Sequence, residues 1–216
     1  MHIIYRLTSV ELESLAMQHP FTAMISGPTG SGKTQFTLKL MQHASEMISP
    51  APQEIVWCYG VYQDVFNSIK NVRFLEGLPD ANEFDGTKRV MLVIDDLMHE
   101  ANEKVSQIFT KGSHHKNISV LFLTQNIFHS SKHNRTMNLN SHYIVLFKNP
   151  RDVGQVSILG RQMFPKGKFL EEAFKDATAR PYGYLFIDLK PNTDEQLRVR
   201  TNIFSDEAPQ YVYVPK

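Results

Sequence analysis

The chain has 216 residues, a formal net charge of +1 with its 9 histidines neutral, and a single cysteine, Cys58. That length suffices to bury a sizeable core in one domain without disulfides, and a lone thiol that can form no internal bridge fits a reducing, intracellular compartment. Near-neutrality excludes a globally basic nucleic-acid binder, leaving only local patches for such a partner; the apolar runs fall far below the roughly 20 residues of a membrane span, and MHIIYRLTSVELES carries no signal-peptide pattern.

Residues 1–20 mix apolar and polar positions without a period and are expected to form an arm, strand-like or a short helix, leading into a domain over 21–216. The apolar run FTAMI predicts a strand, and GPTGSGKT, residues 27–34, follows it. The octapeptide fits G-x-x-x-x-G-K-[ST], in which glycines let the backbone fold until successive N–H groups point at a phosphate. A helix is expected over 35–47, ending before Pro50 and Pro52. A strand leading in and a helix leading out aim the positive helix terminus at the anion.

EIVWCY, residues 54–59, reads as a buried strand, 64–70 as a short helix and 71–75 as an edge strand; Gly77, Pro79, Asp80, Asn82, Asp85 and Gly86 mark a loop over 76–89. VMLVI, residues 90–94, is apolar without alternation, as a central parallel strand requires, and stops at Asp95 and Asp96. A helix is expected over 97–111, then strands ISVLFL (118–123) and YIVLF (143–147), with IFHSSKHNRTMNLNSH between them as a polar connection. Helices over 152–163 and 167–179 are separated by Pro165; 182–189 and 197–204 alternate as an antiparallel pair, and 211–214 is expected at an edge. Buried strands alternating with helices predict an α/β fold of three layers, with a mainly parallel central sheet and a C-terminal antiparallel hairpin. In such a fold ligands sit at the carboxyl ends of the strands, where the polar clusters fall here.

Within the loop, Gly27, Pro28, Thr29, Gly30, Ser31, Gly32, Lys33, Thr34 and Gln35 are the candidate nucleotide contacts. Lys33 would reach the β- and γ-phosphates of ATP, and the Thr34 hydroxyl would ligate Mg²⁺. Asp95 fits the second carboxylate on Mg²⁺, and Asp96 beside it could deprotonate the attacking water; neighbouring strand residues face opposite ways, so the two acids need different jobs. Both could instead cap the next helix, and Glu100 is a rival base. Gln125 ends a strand where an amide could contact the γ-phosphate or lytic water, or merely satisfy the backbone. Arg135, with Arg151 and Arg161 as rivals, could stabilise transition-state charge on a neighbouring subunit. The stretches 112–117 and 130–135 are the local basic patches available to DNA backbone; His99 with the His114, His115 pair has no metal-ligand spacing.

The motifs HPFTAMISGPTGSGKT, VMLVIDDLM, SVLFLTQNIFHSSKHNRTMNLNSHYIVLFKNPRD and ILGRQMFP together span residues 19–165. On them the chain resembles the FtsK–HerA superfamily of P-loop ATPases, specifically the poxvirus-like genome-packaging ATPases found also in virophages, adintoviruses and Polinton (Maverick) elements. The resemblance implies a RecA/ASCE-like P-loop core, Gln125 as the γ-phosphate sensor, and Arg135 as the finger. It further implies a homo-oligomeric ring, with a hexamer favoured, that hydrolyses ATP to drive double-stranded DNA into a capsid. Capsid or portal proteins would then be partners, and the host nucleus or a cytoplasmic virus factory the setting. The family's second motif usually ends Asp-Glu, where this chain has Asp95-Asp96. Two rival readings are a P-loop kinase, for which an arginine-rich lid is missing from the sequence, and a replication or transposition ATPase, for which no segment is left over as a DNA-binding domain.

Overall fold

The computed structural model describes residues 3–6, 15–80, 83–95, 97, 103–109, 116–127, 132–165, 167–207 and 209–215. In chain order the strands are β1 (Ile3–Arg6), β2 (Met17–Gln18), β3 (Thr22–Ser26), β4 (Ile48–Ser49), β5 (Glu54–Tyr59), β6 (Arg73–Glu76), β7 (Val90–Asp95), β8 (Ile118–Thr124), β9 (Tyr143–Phe147), β10 (Tyr184–Asp188), β11 (Val199–Thr201) and β12 (Tyr211–Val214). The helices are α1 (Lys33–Gln42), α2 (Ala44–Met47), α3 (Glu103–Gln107), α4 (Lys132–Leu139), α5 (Gly154–Met163) and α6 (Phe169–Ala177). No helix among the described residues is long and apolar enough to cross a membrane.

One ten-stranded sheet runs β1-β12-β11-β10-β9-β3-β8-β7-β5-β6. From β9 to β6 every neighbouring pair is parallel; from β9 through β10, β11 and β12 to β1 every pair is antiparallel. The parallel strands are buried on both faces, which is why their sequences run apolar without alternation. Alternation still sorts their side chains. Val90, Leu92 and Ile94 of β7 enter one core with α5 and α6 residues Val156, Leu159, Leu170 and Phe174, while Met91 and Val93 enter the other with α1 residues Phe36, Leu38, Leu40 and Met41. Helices thus cover both faces, and the expected three-layer α/β sandwich with a mainly parallel sheet is the fold observed.

Phe36 holds α1 to the sheet. Its ring lies 4.8 Å from Tyr184, 5.3 Å from Phe204 and 6.1 Å from Phe147, the first and last edge-on. Burying such a ring stabilises the packing by about 2 kcal/mol.

Four expectations need correction. The helix expected over 35–47 starts at Lys33 and breaks at His43, whose carbonyl restarts a short helix by accepting from Met47 N–H at 2.9 Å. The polar connection before β9 contains α4, held by the buried Met137. The strand β12 is not at the edge, because β1 pairs along it from Ile3 opposite Val214 to Arg6 opposite Tyr211. The short helix expected at 64–70 is a 3-10 turn, Asp64–Ser68. Of the helix expected over 97–111, the described part comprises Leu97, α3 and the π turn that follows it. At the other sheet edge, β6 carries Arg73 ion-paired with Glu83 and with Glu54, and a charged edge resists further strand addition.

Candidate functional site

Residues 27–34 connect the end of β3 to the start of α1. Gly27 N–H donates to Thr124 O at 3.2 Å, which fastens the loop to β8; Ser31 N–H donates to Pro28 O at 3.1 Å, closing a tight turn; Phe36 N–H donates to Gly32 O at 2.9 Å, opening the helix. Gly30 at φ +76° and Gly32 at φ +111° are left-handed, a conformation costly to any side chain. Space also forces glycine: a Cβ on Gly27 would stand 2.5 Å from Ser31 Oγ and 2.7 Å from Phe147 Cβ. The loop is therefore pressed against β9, and its path is set by packing as well as by torsion.

Lys33 Nζ donates to Gly27 O at 2.6 Å and to Pro28 O at 3.1 Å, so the ammonium lies inside the turn. Ser31 Oγ is buried with no hydrogen-bond partner, and a buried unpaired hydroxyl is costly unless something completes it. The helix N-cap is Gly32, which supplies no capping side chain to the first-turn N–H groups. These are features an oxyanion satisfies together: an orphaned hydroxyl, a lysine, and a positive helix end. A triphosphate fits the loop on these grounds. Thr34 is half-buried on the first turn of α1, and Thr29, Gly30 and Gln35 are exposed.

The neighbouring strand ends carry the remaining groups. The ladder sets Ser26 opposite Thr124, and Leu123 opposite Asp95, so the loop, Gln125 and Asp95 stand at the ends of β3, β8 and β7 in that lateral order. Asp95 is 6% exposed and shares strand parity with Met91 and Val93, hence the face of α1. Gln63 Nε2 donates to Asp95 Oδ2 at 3.5 Å. A hydroxyl at Thr34 and a carboxylate at Asp95 make a hard-oxygen donor set suited to Mg²⁺, which takes few protein ligands and keeps waters. Asp96 lies outside the described residues.

Gln125 is exposed, and the chain beyond it is latched. Asp152 Oδ2 accepts from Asn126 Nδ2 at 3.0 Å and from Gln155 Nε2 at 2.7 Å, while Gln155 Oε1 accepts from Ile127 N–H at 3.1 Å. This network ties the turn after β8 to α5. Sequence reasoning missed both Gln63 and Asp152, since neither falls at a strand end of its own; only the NPRD stretch after β9 hinted at the second.

Arg135 lies on α4, exposed, while its helix is anchored by Met137 in the core opposite α1. Arg151 and Arg161 are also exposed, in the turn before α5 and near its end. Of the stretch 112–117, only Lys116 and Asn117 are described, and of 130–135 only Arg135 has a described side chain. No cluster of His, Cys, Asp or Glu capable of holding a metal occurs among the described residues.

From Gly32 a cleft of about 900 Å³ runs along α1, bounded by Lys39, Tyr182, Asp206 and Glu207 on one side and by Val65 and Val72 on the other. Burial works against the Lys39 charge, but Asp206 at 2.9 Å and Glu207 at 3.0 Å outweigh it and raise its pKa above the usual value. Glu207 also accepts from Tyr184 O–H at 2.6 Å, so this ion pair clamps the segment before β12 onto α1.

No protein-family model matches the chain, and no curated protein sequence matches it. Solved structures that resemble it include the genome packaging NTPase B204 from Sulfolobus turreted icosahedral virus 2 in complex with ATP-gammaS. That pairing has 10% identity and a TM-score of 0.49 over 84% of this chain and 96% of the other. The Legionella pneumophila ATPase DotB is similar at 15% identity and a TM-score of 0.43, over 64% of this chain and 43% of that one.

Proposed function

We propose that this chain is a P-loop ATPase that couples ATP hydrolysis to movement of double-stranded DNA into a capsid. The observation that carries the ATPase part is the lateral series at the sheet: an anion cradle with an orphaned hydroxyl after β3, an amide after β8, and a buried carboxylate ending β7. In this reading Lys33 exchanges the Gly27 and Pro28 carbonyls for β- and γ-phosphate oxygens. Thr34 and Asp95 would hold Mg²⁺, which would supply positive charge against the phosphates. Gln125 orients the lytic water, and Asp96 takes its proton as the water oxygen attacks the γ-phosphorus; the bond from that phosphorus to the β–γ bridging oxygen breaks, so ADP leaves with the electron pair and inorganic phosphate is formed.

The DNA-translocating and packaging part rests on the motif resemblance over residues 119–152, not on the loop. A ring supplying Arg135 in trans is supported by its exposure on a helix packed on the face away from α1, where its own loop does not claim it. The test is ATP hydrolysis by the purified protein with and without double-stranded DNA, alongside Lys33→Ala and Asp95→Asn. DNA-stimulated hydrolysis, lost in both variants, is expected. No hydrolysis under any condition would sink the motor, and phosphate appearing on an added small acceptor would establish a kinase instead.

A further inference from the structure

Tyr182 occupies a position that backbone physics reserves for glycine. Gly183 N–H donates to Arg180 O at 3.1 Å, closing a four-residue turn over RPYG. Pro181 fixes a negative φ at the second position, and Tyr182 stands third at φ +61°. That combination is a type II turn, whose third position favours glycine because a side chain there meets its own backbone. A glycine is present one residue later, yet it cannot trade places: a Cβ on Gly183 would lie 2.4 Å from Ala177 O. The turn therefore carries strain in an aromatic residue.

Packing does not recover that strain. Tyr182 is 71% exposed. Its Cδ1 nevertheless lies 3.3 Å from where a Cβ of Gly32 would stand, beside the N-terminus of α1 and at the head of the 900 Å³ cleft. Strain that persists at an exposed side chain is characteristic of a residue kept for a ligand. A nucleotide whose phosphates lie in residues 27–34 must carry its base outside that loop, and the Tyr182 ring offers a flat π surface at the loop's edge, where the cleft begins.

We propose that Tyr182 is the platform on which the base of a bound nucleoside triphosphate stacks, with the cleft along α1 receiving the nucleoside. This rests on reading residues 27–34 as a triphosphate site. Stacking tolerates different bases, because each has a π face, so the platform serves ATP and GTP alike.

The experiment measures displacement of a fluorescent N-methylanthraniloyl-ATP by ATP and by inorganic tripolyphosphate, which has no base. Tyr182→Ala is expected to weaken ATP about 10-fold, the scale of one base–aromatic stack, with tripolyphosphate unchanged. Tyr182→Phe should keep ATP affinity within about twofold, since the ring face remains. Tyr182→Gly should lose ATP affinity as the alanine variant does while its Tm holds or rises, because the turn regains its preferred residue. Unchanged ATP affinity in Tyr182→Ala overturns the proposal. Equal losses for ATP and tripolyphosphate also overturn it, making Tyr182 a brace for Gly32. Wild-type protein that binds tripolyphosphate as tightly as ATP removes the platform and leaves the phosphate loop standing; wild type that binds neither removes both.

Discussion

Gly27→Ala tests whether packing against β9, as distinct from glycine torsions, shapes the phosphate cradle. The φ of Gly27 is not left-handed, so alanine meets no torsional penalty and the whole effect comes from space. The added Cβ stands 2.7 Å from Phe147 Cβ, about 0.7 Å short of the 3.4 Å at which ordinary contact begins. Phe147 Cβ is fixed on a buried strand hydrogen-bonded to its neighbours, whereas Ser31, whose Oγ is 2.5 Å from the same point, sits on the loop. The loop, and not the strand, gives way. Overpacking of this kind costs about 1–3 kcal/mol, which for a chain of this size lowers Tm by roughly 2–12 °C. A shift of the phosphate contacts approaching 1 Å costs up to about 100-fold in turnover.

The assay pairs a thermal melt with ATP hydrolysis and includes Gly30→Ala as control. Gly30 has open space around it, so alanine there incurs only the left-handed penalty of about 1–2 kcal/mol. Gly27→Ala should lose activity more than Gly30→Ala even where the two lose similar stability. Gly27→Ala with wild-type Tm and wild-type turnover would refute the idea that β9 shapes the loop.

Arg135→Ala is expected to abolish ATP turnover with nucleotide affinity nearly intact, as measured by hydrolysis and by fluorescent-nucleotide binding; unchanged turnover would move the finger to Arg151 or Arg161, or remove it. Asp152→Ala leaves the Gln155 amide, 6% exposed, without one partner; this costs about 1–3 kcal/mol. Because it loosens the turn that follows Gln125, kcat should fall while nucleotide affinity stays. Activity retained in a destabilised Asp152→Ala protein would confine the latch to a structural role. Burial pushes the Cys58 thiol from 9.0 up to about 12. Between those values the unfolded chain releases its proton first, so the stability this group contributes is complete below about pH 9 and is lost as pH rises toward 12. The loss is up to about 1.4 kcal/mol per pH unit. Urea midpoints at pH 8, 9, 10 and 11 should therefore fall more steeply in wild type than in Cys58→Ala, and parallel curves would contradict the assignment.

Where a segment's fate depends on local composition, the sequence was enough. Residues 143–147 form a strand over the expected bounds because they are an uninterrupted apolar run buried along its whole length, and residues 54–59 do so around a buried centre of Val56, Trp57 and Cys58. The α4 segment KHNRTMNL was illegible for the opposite reason: among its described side chains only Met137 is buried, and Leu139 is 71% exposed, so no apolar stripe announces a helix. The position of β12 could not be read either, since its covering strand lies some two hundred residues earlier in the chain. Of the site, the loop was legible as a motif, but three of its determinants come from elsewhere. Phe147 presses on Gly27, Gln63 reaches Asp95, and Tyr182 leans on Gly32, each a contact between distant residues that no local pattern encodes.

The placement of β8 between β3 and β7 acts as a gauge for the chemistry. Adjacent strands stand roughly 4.8 Å apart, so a loop ending β3 and a carboxylate ending β7 are separated laterally by roughly 10 Å. That width is set by backbone hydrogen bonds and not by side chains, so repacking either core cannot narrow it. In the proposed reading that width would admit a phosphate and a hydrated cation side by side, with Gln125 following the intervening strand. Tuning such a site is left to the length of the groups that project into the gap, which makes the choice between aspartate and glutamate at position 95 a choice of reach.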